Sequence, residues 1–258
     1  MKDDPLGKVG EARKLSPPFG AIFDWDGVII DSARLHERSW QQLAAELGTS
    51  IQPQSFVKGF GMKSDRIVAE IHRWATEPAE IARLTNRKET LYREIVRQSE
   101  IAPLPGVVEW LRRLHDAGIA CAVASSTQRL NIDAVLERIG LQNAFSQIVS
   151  AEDVVQGKPH PEVFEKAANR LGFAPERCVV FEDAHVGIEA AHAAGMKVVA
   201  VTTTHPASEL ARADLVVRRL DELTVERIVQ LWSQEVADNS RGQRVSSRAK
   251  SRDPVELL

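Results

Sequence analysis

The sequence predicts an α/β protein, a parallel sheet flanked by helices and interrupted once by an all-helical insert. Short apolar runs alternate with helical patterns along most of the chain. Those runs are continuously Val-, Ile- and Ala-rich rather than alternating with polar residues, as strands buried on both faces are. Between residues 33 and 105 the strand signal disappears and the pattern is helical throughout.

Taken in order, strands are expected at 19–23, 119–124, 145–150, 177–181, 197–202 and 214–217. Helices begin near Val107, Glu162 and Gly187. Gly118 closes the first and Gly195 the third, each just past the last periodic residue. Within the insert, Trp40, Leu43, Ala44 and Leu47 share one helical face. Ser64 is placed to cap a helix carrying Ile67, Val68, Ile71 and Trp74. Pro78 suits a first helical turn leading to Ile81 and Leu84, and Leu91, Tyr92, Ile95 and Val96 continue the logic. The insert returns through a Pro- and Gly-containing stretch at 102–106, so two connections, near Ser32 and Pro103, form a hinge. The expected organisation is a core of 19–32 and 106–235, a helical cap of 33–105, and loose polar tails at 1–18 and 236–258.

At 258 residues the chain can hold one core plus one smaller body. Lys plus Arg number 33 against 36 Asp plus Glu, a formal charge of −3, so no overall basic field exists to hold nucleic acid. Cys121 and Cys178 each sit in an apolar run and read as small buried hydrophobes. With no CxxC and the seven histidines scattered, a structural zinc is not expected. Neither an apolar leader nor a membrane-length segment is present, which predicts a cytoplasmic protein without a membrane partner. Oligomeric state leaves no mark on the sequence.

Polar groups follow the ends of four successive strands: Asp24 and Asp26, then Ser125, then Lys158, then Glu182 and Asp183. The carboxyl ends of parallel strands share one edge, so these groups converge on one crevice. Carboxylates crowded there repel by roughly 4 kcal/mol per pair at ~4 Å and an effective dielectric near 20, which a divalent cation relieves. Oxygen-only ligands favour magnesium. Lys158 and the Ser125 hydroxyl add the positive charge and the donor that a transferring phosphoryl group needs. Asp24 and Asp26, two apart in an extended segment, can face one ligand, one attacking phosphorus and the other moving the proton.

These segments resemble the four signatures of the haloacid-dehalogenase superfamily, in the family's order: FDWDGVIIDS at 23–32, VASS at 123–126, GKPHP at 157–161 and FED at 181–183. The likeness is greatest to the branch of beta-phosphoglucomutase and sugar-phosphate phosphatases. It implies a Rossmann-like sheet whose helical cap closes over a small phosphorylated metabolite. It also implies an aspartyl-phosphate mechanism, with Asp24 as nucleophile and Asp26 as acid/base. Ser125 and Lys158 would bind the phosphoryl group, and Ser126 would lend its backbone N–H. Magnesium would be held by Asp24, the Asp26 carbonyl and Asp183, with Glu182 ligating it or holding its waters.

Several residues have a plainer reading. Thr127 is expected to cap the following helix, Trp25 to pack in the core, and His185 to be a loop residue. His36 is split evenly between cap packing and a site role matching a histidine of the mutase branch. The mutases grip a second phosphate with a cap arginine; in KGFGMKSD at 58–65, Ser64 stands at that place and Lys63 beside it lacks the planar fork. A phosphatase is therefore expected rather than a sugar-phosphate mutase. Receiver modules share the acidic pair and the lysine, but carry no such insert and place their phosphorylated aspartate on a later strand.

Overall fold

The computed structural model describes residues 19–59 and 62–233. The two tails expected to be loose, 1–18 and 236–258, lie outside the described residues, as do 234–235 and Phe60 and Gly61 of the glycine-containing stretch. Six strands form one parallel sheet in the order β3-β2-β1-β4-β5-β6. They are β1 (Gly20–Phe23), β2 (Cys121–Ala124), β3 (Gln147–Val149), β4 (Cys178–Glu182), β5 (Lys197–Val201) and β6 (Leu215–Val217). Each lies within a residue or two of its expected place.

The continuous apolar runs follow from two buried faces. Successive side chains of a strand point to opposite sides. Phe23, Val179, Phe181 and Val199 enter the cluster on one face, Ile22, Val180, Val198 and Ala200 that on the other. The first face is covered by α5 (Val107–Asp116), through Trp110, Leu111 and Leu114, and by α6 (Arg129–Ile139), through Ile132 and Val135. The second is covered by α7 (Glu162–Leu171) and α8 (His185–Ala193). A slip of one residue in any central strand would exchange its two faces. Phe23 lies opposite Phe181 in the register of β1 and β4, their rings stacked 4.5 Å apart, and the Asp24 N–H donates to the Phe181 carbonyl at 2.9 Å. The two strand ends that carry the carboxylates are thereby held side by side.

Between β1 and α5 the chain is helical: α1 (Ala33–Glu46), α2 (Pro53–Gly59), a single turn α3 (Ser64–Arg66) running into a π-turn over Ile67–Ile71, and the long α4 (Pro78–Gln98). These helices bury their own cluster around Trp40, Leu43, Ile67, Val68, Leu84 and Leu91. Where the chain returns, the Leu104 N–H donates to the Ile29 carbonyl at 2.8 Å, stitching the return to the departure.

Four local expectations are corrected. Leu47 ends α1 as its cap and is exposed, because the apolar stripe finishes at Ala44. Ser64 is the first helical residue rather than the cap, and its hydroxyl donates to Glu89 at 2.5 Å. Trp74 lies beyond the helix, which ends as Arg73 turns to a left-handed φ of 54°. His185 opens α8 instead of sitting in a loop. Among the described residues, no helix is long and apolar enough to cross a membrane.

Candidate active site

The strand order sets β2, β1 and β4 side by side, so the residues leaving their carboxyl ends meet. Lys158, from the stretch between β3 and α7, completes the group. Its ammonium donates to Asp24 Oδ1 at 2.6 Å and to Glu182 Oε1 at 2.7 Å, and lies 4.8 Å from the centroid of the Phe164 ring. Carboxylate oxygens of Asp24, Glu182 and Asp183 lie within 4.8 Å of one another. All four side chains are buried, as is Ser125, whose hydroxyl accepts the Thr127 N–H at 3.0 Å and keeps its own hydrogen for donation.

The two aspartates that follow β1 occupy opposite environments. Burial drives the Asp24 carboxyl up to about 7; Lys158 opposes the rise, and Glu182 and Asp26 add to it. Asp26 is also pushed upward by burial, but bonds from His36, Ser32 and Thr127 prevail and hold it at about 2. The Ser32 hydroxyl donates to Asp26 Oδ1, and the Thr127 hydroxyl to Oδ2 at 2.6 Å. His36 Nε2 lies 3.4 Å from Oδ1. Asp183 is raised well above the ordinary carboxylate range, by burial and then by the charges of Glu182 and Asp24.

His36 stacks on Tyr92 at 4.3 Å and also reaches Asp26. Its Nδ1 lies 2.8 Å from the Lys88 ammonium, which can only donate, so Nδ1 accepts and the ring hydrogen belongs on Nε2, facing Asp26. Lys88 is buried on the apolar side of α4, beside Glu89 at 3.1 Å, with its ammonium 5.1 Å from the Trp40 ring. Glu89 accepts in turn from Ser64 and from Asn131 of α6. Lys63 reaches down to the Val154 carbonyl at 3.2 Å. A cavity of about 290 Å³ separates the insert from the sheet edge, bordered by Asp26, His36, Trp40, Lys63, Lys88 and Thr127 among others.

The metal-ligand set can be tested against this chemistry. Asp24, Glu182 and Asp183 are three buried carboxylates facing one buried ammonium, an imbalance that a dication with oxygen ligands removes. Glu182 is largely committed elsewhere: one oxygen accepts Lys158, the other the N–H groups of Asp183 and Ala184 at 2.7 and 2.8 Å. Asp24 and Asp183 are the donors left to face an ion, and the carboxylate of Asp26 is engaged by the Ser32 and Thr127 hydroxyls. Ser126 lies just after Ser125 but three residues before α6 begins, so it is not in a helical first turn.

Sequence reasoning missed Thr127, Ser32, Lys88, Glu89 and Thr204, whose hydroxyl donates to Asp183 Oδ2. Thr127 was assigned to a cap, but α6 starts only at Arg129 and the hydroxyl serves Asp26. Lys88 and Glu89 did leave a signal, a charged pair on the buried face of α4 between Leu84 and Tyr92. Thr204 left none, because it comes from a loop after β5 with no motif around it.

A family model described as haloacid dehalogenase-like hydrolase matches residues 21–201. The chain belongs to that family. Of the family's members, a chloroplastic 5-amino-6-(5-phospho-D-ribitylamino)uracil phosphatase of Arabidopsis thaliana is 39% identical over 222 residues, which is 85% of this chain and 59% of that protein. The chain thus spans well under two thirds of that relative's length. A fructose-1-phosphate phosphatase of Escherichia coli is 34% identical over 70% of this chain and 95% of its own. Among solved structures, a beta-phosphoglucomutase of Clostridium difficile superposes with a TM-score of 0.76 at 27% identity, covering 84% of this chain and 98% of that one. The haloacid-dehalogenase-like chain is accordingly an enzyme of a hydrolase family whose named relatives include phosphomonoester hydrolases.

Proposed function

We propose that the chain is a magnesium-dependent phosphatase that hydrolyses a small phosphorylated metabolite, a sugar or polyol monophosphate, through an aspartyl-phosphate on Asp24. The observation that carries this reading is the contrast between its two aspartates. Asp24 lies against the Lys158 ammonium in the carboxylate cluster, while Asp26 is held two residues on by hydroxyl donors and an imidazole.

An oxygen of Asp24 forms a bond to phosphorus as the ester P–O bond breaks, and Asp26 delivers a proton to the departing oxygen. Water then attacks phosphorus, Asp26 takes a proton from it, and the bond to Asp24 breaks to release phosphate. Asp26 is ionised on its own, which suits the second half; a bound anionic phosphoryl group raises its pKa and prepares the first. Lys158, the Ser125 hydroxyl and the Ser126 N–H hold the phosphoryl oxygens. Asp24, the Asp26 carbonyl and Asp183, with Glu182 behind them, would hold magnesium, which would supply positive charge against the phosphoryl oxygens. The insert acts as a cap, with His36 and Lys63 toward the leaving group.

Hydrolysis is favoured over mutase chemistry because the insert offers no guanidinium at the place of Ser64. Ser64 and Lys63 are engaged with Glu89 and the Val154 carbonyl instead. The names of the two phosphatase relatives support a monophosphate of a sugar or a ribityl chain as substrate.

The test is phosphate release across hexose, pentose, polyol and ribityl phosphates, with and without magnesium, for the wild type and Asp24→Asn. Magnesium-dependent release that Asp24→Asn abolishes, with unchanged circular dichroism, is the expected result. Release by Asp24→Asn at the wild-type rate defeats the nucleophile assignment. Sustained conversion of glucose 1-phosphate to glucose 6-phosphate, primed by a bisphosphate and with little free phosphate, defeats the phosphatase.

A further inference from the structure

The scattered histidines of the sequence do not all remain apart in the fold. His185 opens α8, and His205 and Glu209 come from the loop after β5. One donor atom of each lies within 4.8 Å of the others. His185 Nε2 is 3.6 Å and His205 Nδ1 3.3 Å from the same carboxylate oxygen, Glu209 Oε2, and the two ring centroids are 4.6 Å apart.

These spacings have a meaning for metal binding. Zinc takes imidazole nitrogen at ~2.0–2.1 Å and carboxylate oxygen at ~2.0–2.2 Å in a tetrahedron, whose edges are then about 3.3–3.5 Å. The two nitrogen–oxygen separations already stand at about that length. Two imidazoles and one carboxylate are also the wrong set for magnesium, which prefers oxygen, and a suitable one for zinc and its neighbours in the transition series. The side chains are about one third to one half exposed, so an ion and its remaining water ligand reach them without rearrangement of the core.

We propose that His185, His205 and Glu209 form a second metal site, selective for zinc-type dications over magnesium, on the rim of the carboxylate cluster. Its place gives it a purpose. His185 stands two residues after Asp183, and His205 directly follows Thr204, whose hydroxyl donates to Asp183. An ion there ties the start of α8 to the loop after β5, bracing from outside the two segments that already meet at Asp183. The site stands apart from the reaction itself, and failure of the phosphatase reading would leave it intact.

The experiment is zinc titration of the untagged full-length protein in saturating magnesium, followed by calorimetry and by metal analysis after dialysis. Wild type and Asp183→Asn are each expected to take up one equivalent at the rim, since Asp183→Asn impairs only the carboxylate cluster. His205→Ala and Glu209→Gln are expected to lose that equivalent while retaining folded circular dichroism and their magnesium-dependent rate. Zinc is expected to raise the melting temperature of wild type and not of His205→Ala. Equal zinc uptake by wild type and His205→Ala, or none by folded wild type in magnesium, overturns the site and leaves a surface ion pair only.

Discussion

At the scale of single residues, the proposed chemistry rests on one amino acid used twice. Asp24 and Asp26 share a strand end, yet burial raises the first to about 7 while the bonds around the second hold it at about 2. Thr127 is part of that difference. Thr127→Val removes a hydroxyl that donates to a charged acceptor, an interaction of about 2 kcal/mol, or roughly thirtyfold in rate. The expected outcome is a kcat lowered by about that factor, with the acid limb of the pH–rate profile moved upward, because the ionised form of Asp26 has lost a donor. An unchanged profile would mean that Thr127 only packs. Of this scale, the sequence disclosed the cluster at the strand ends: Asp24, Lys158, Glu182 and Asp183 stand side by side, as their positions after successive strands require. It did not disclose the donors around Asp26, because a threonine before a helix has a local use that masks a long-range one.

At the scale of elements, strands were easier to read than helix starts. A strand buried on both faces writes most of its length as apolar residues, as β4 does up to Glu182 and β5 after Lys197. The start of α8 has no such mark, since its first residues answer to the site beneath them. Gly187 is the clearest case: a Cβ there would lie 1.7 Å from Glu182 Oε1, the oxygen that holds Lys158. Propensity alone says that Gly187→Ala stabilises a helix by ~1 kcal/mol. The buried carboxylate has nowhere to retreat, so the expected outcome is a lower melting temperature and a large loss of phosphate release. A stabilised, active Gly187→Ala would show that α8 shifts freely over Glu182. The insert was legible as helical but not in detail, because the π-turn over Ile67–Ile71 shifts the phase of its apolar pattern.

At the scale of the whole molecule, the carboxylate cluster sets how stability responds to acid and to metal. Asp24 and Asp183 bind protons in the folded state that the unfolded chain, with aspartates near 3.8, has already released. Stability of the metal-free protein therefore falls as pH rises from about 4 through about 7. Asp26 works in the opposite direction, but only below the ordinary carboxylate range, outside that window. Melting curves without metal are expected to give a higher midpoint at pH 5.5 than at pH 8. Magnesium is expected to raise the midpoint more at pH 8, where the ligands no longer hold protons. An equal rise at both values would separate the ion from these carboxylates. This behaviour was open to sequence reasoning only in part: the crowding of acids could be read from strand order, but the burial that sets its size depends on packing.

The hydrogen bond from Leu104 to the carbonyl of Ile29 ties the two ends of the insert together at one seam. Like a bit held in a chuck, the segment between them is gripped where it leaves and rejoins the sheet, with His36 reaching down to Asp26. Exchange of the insert across that seam with His36 retained is expected to change the leaving group accepted while sparing the two aspartates proposed to react.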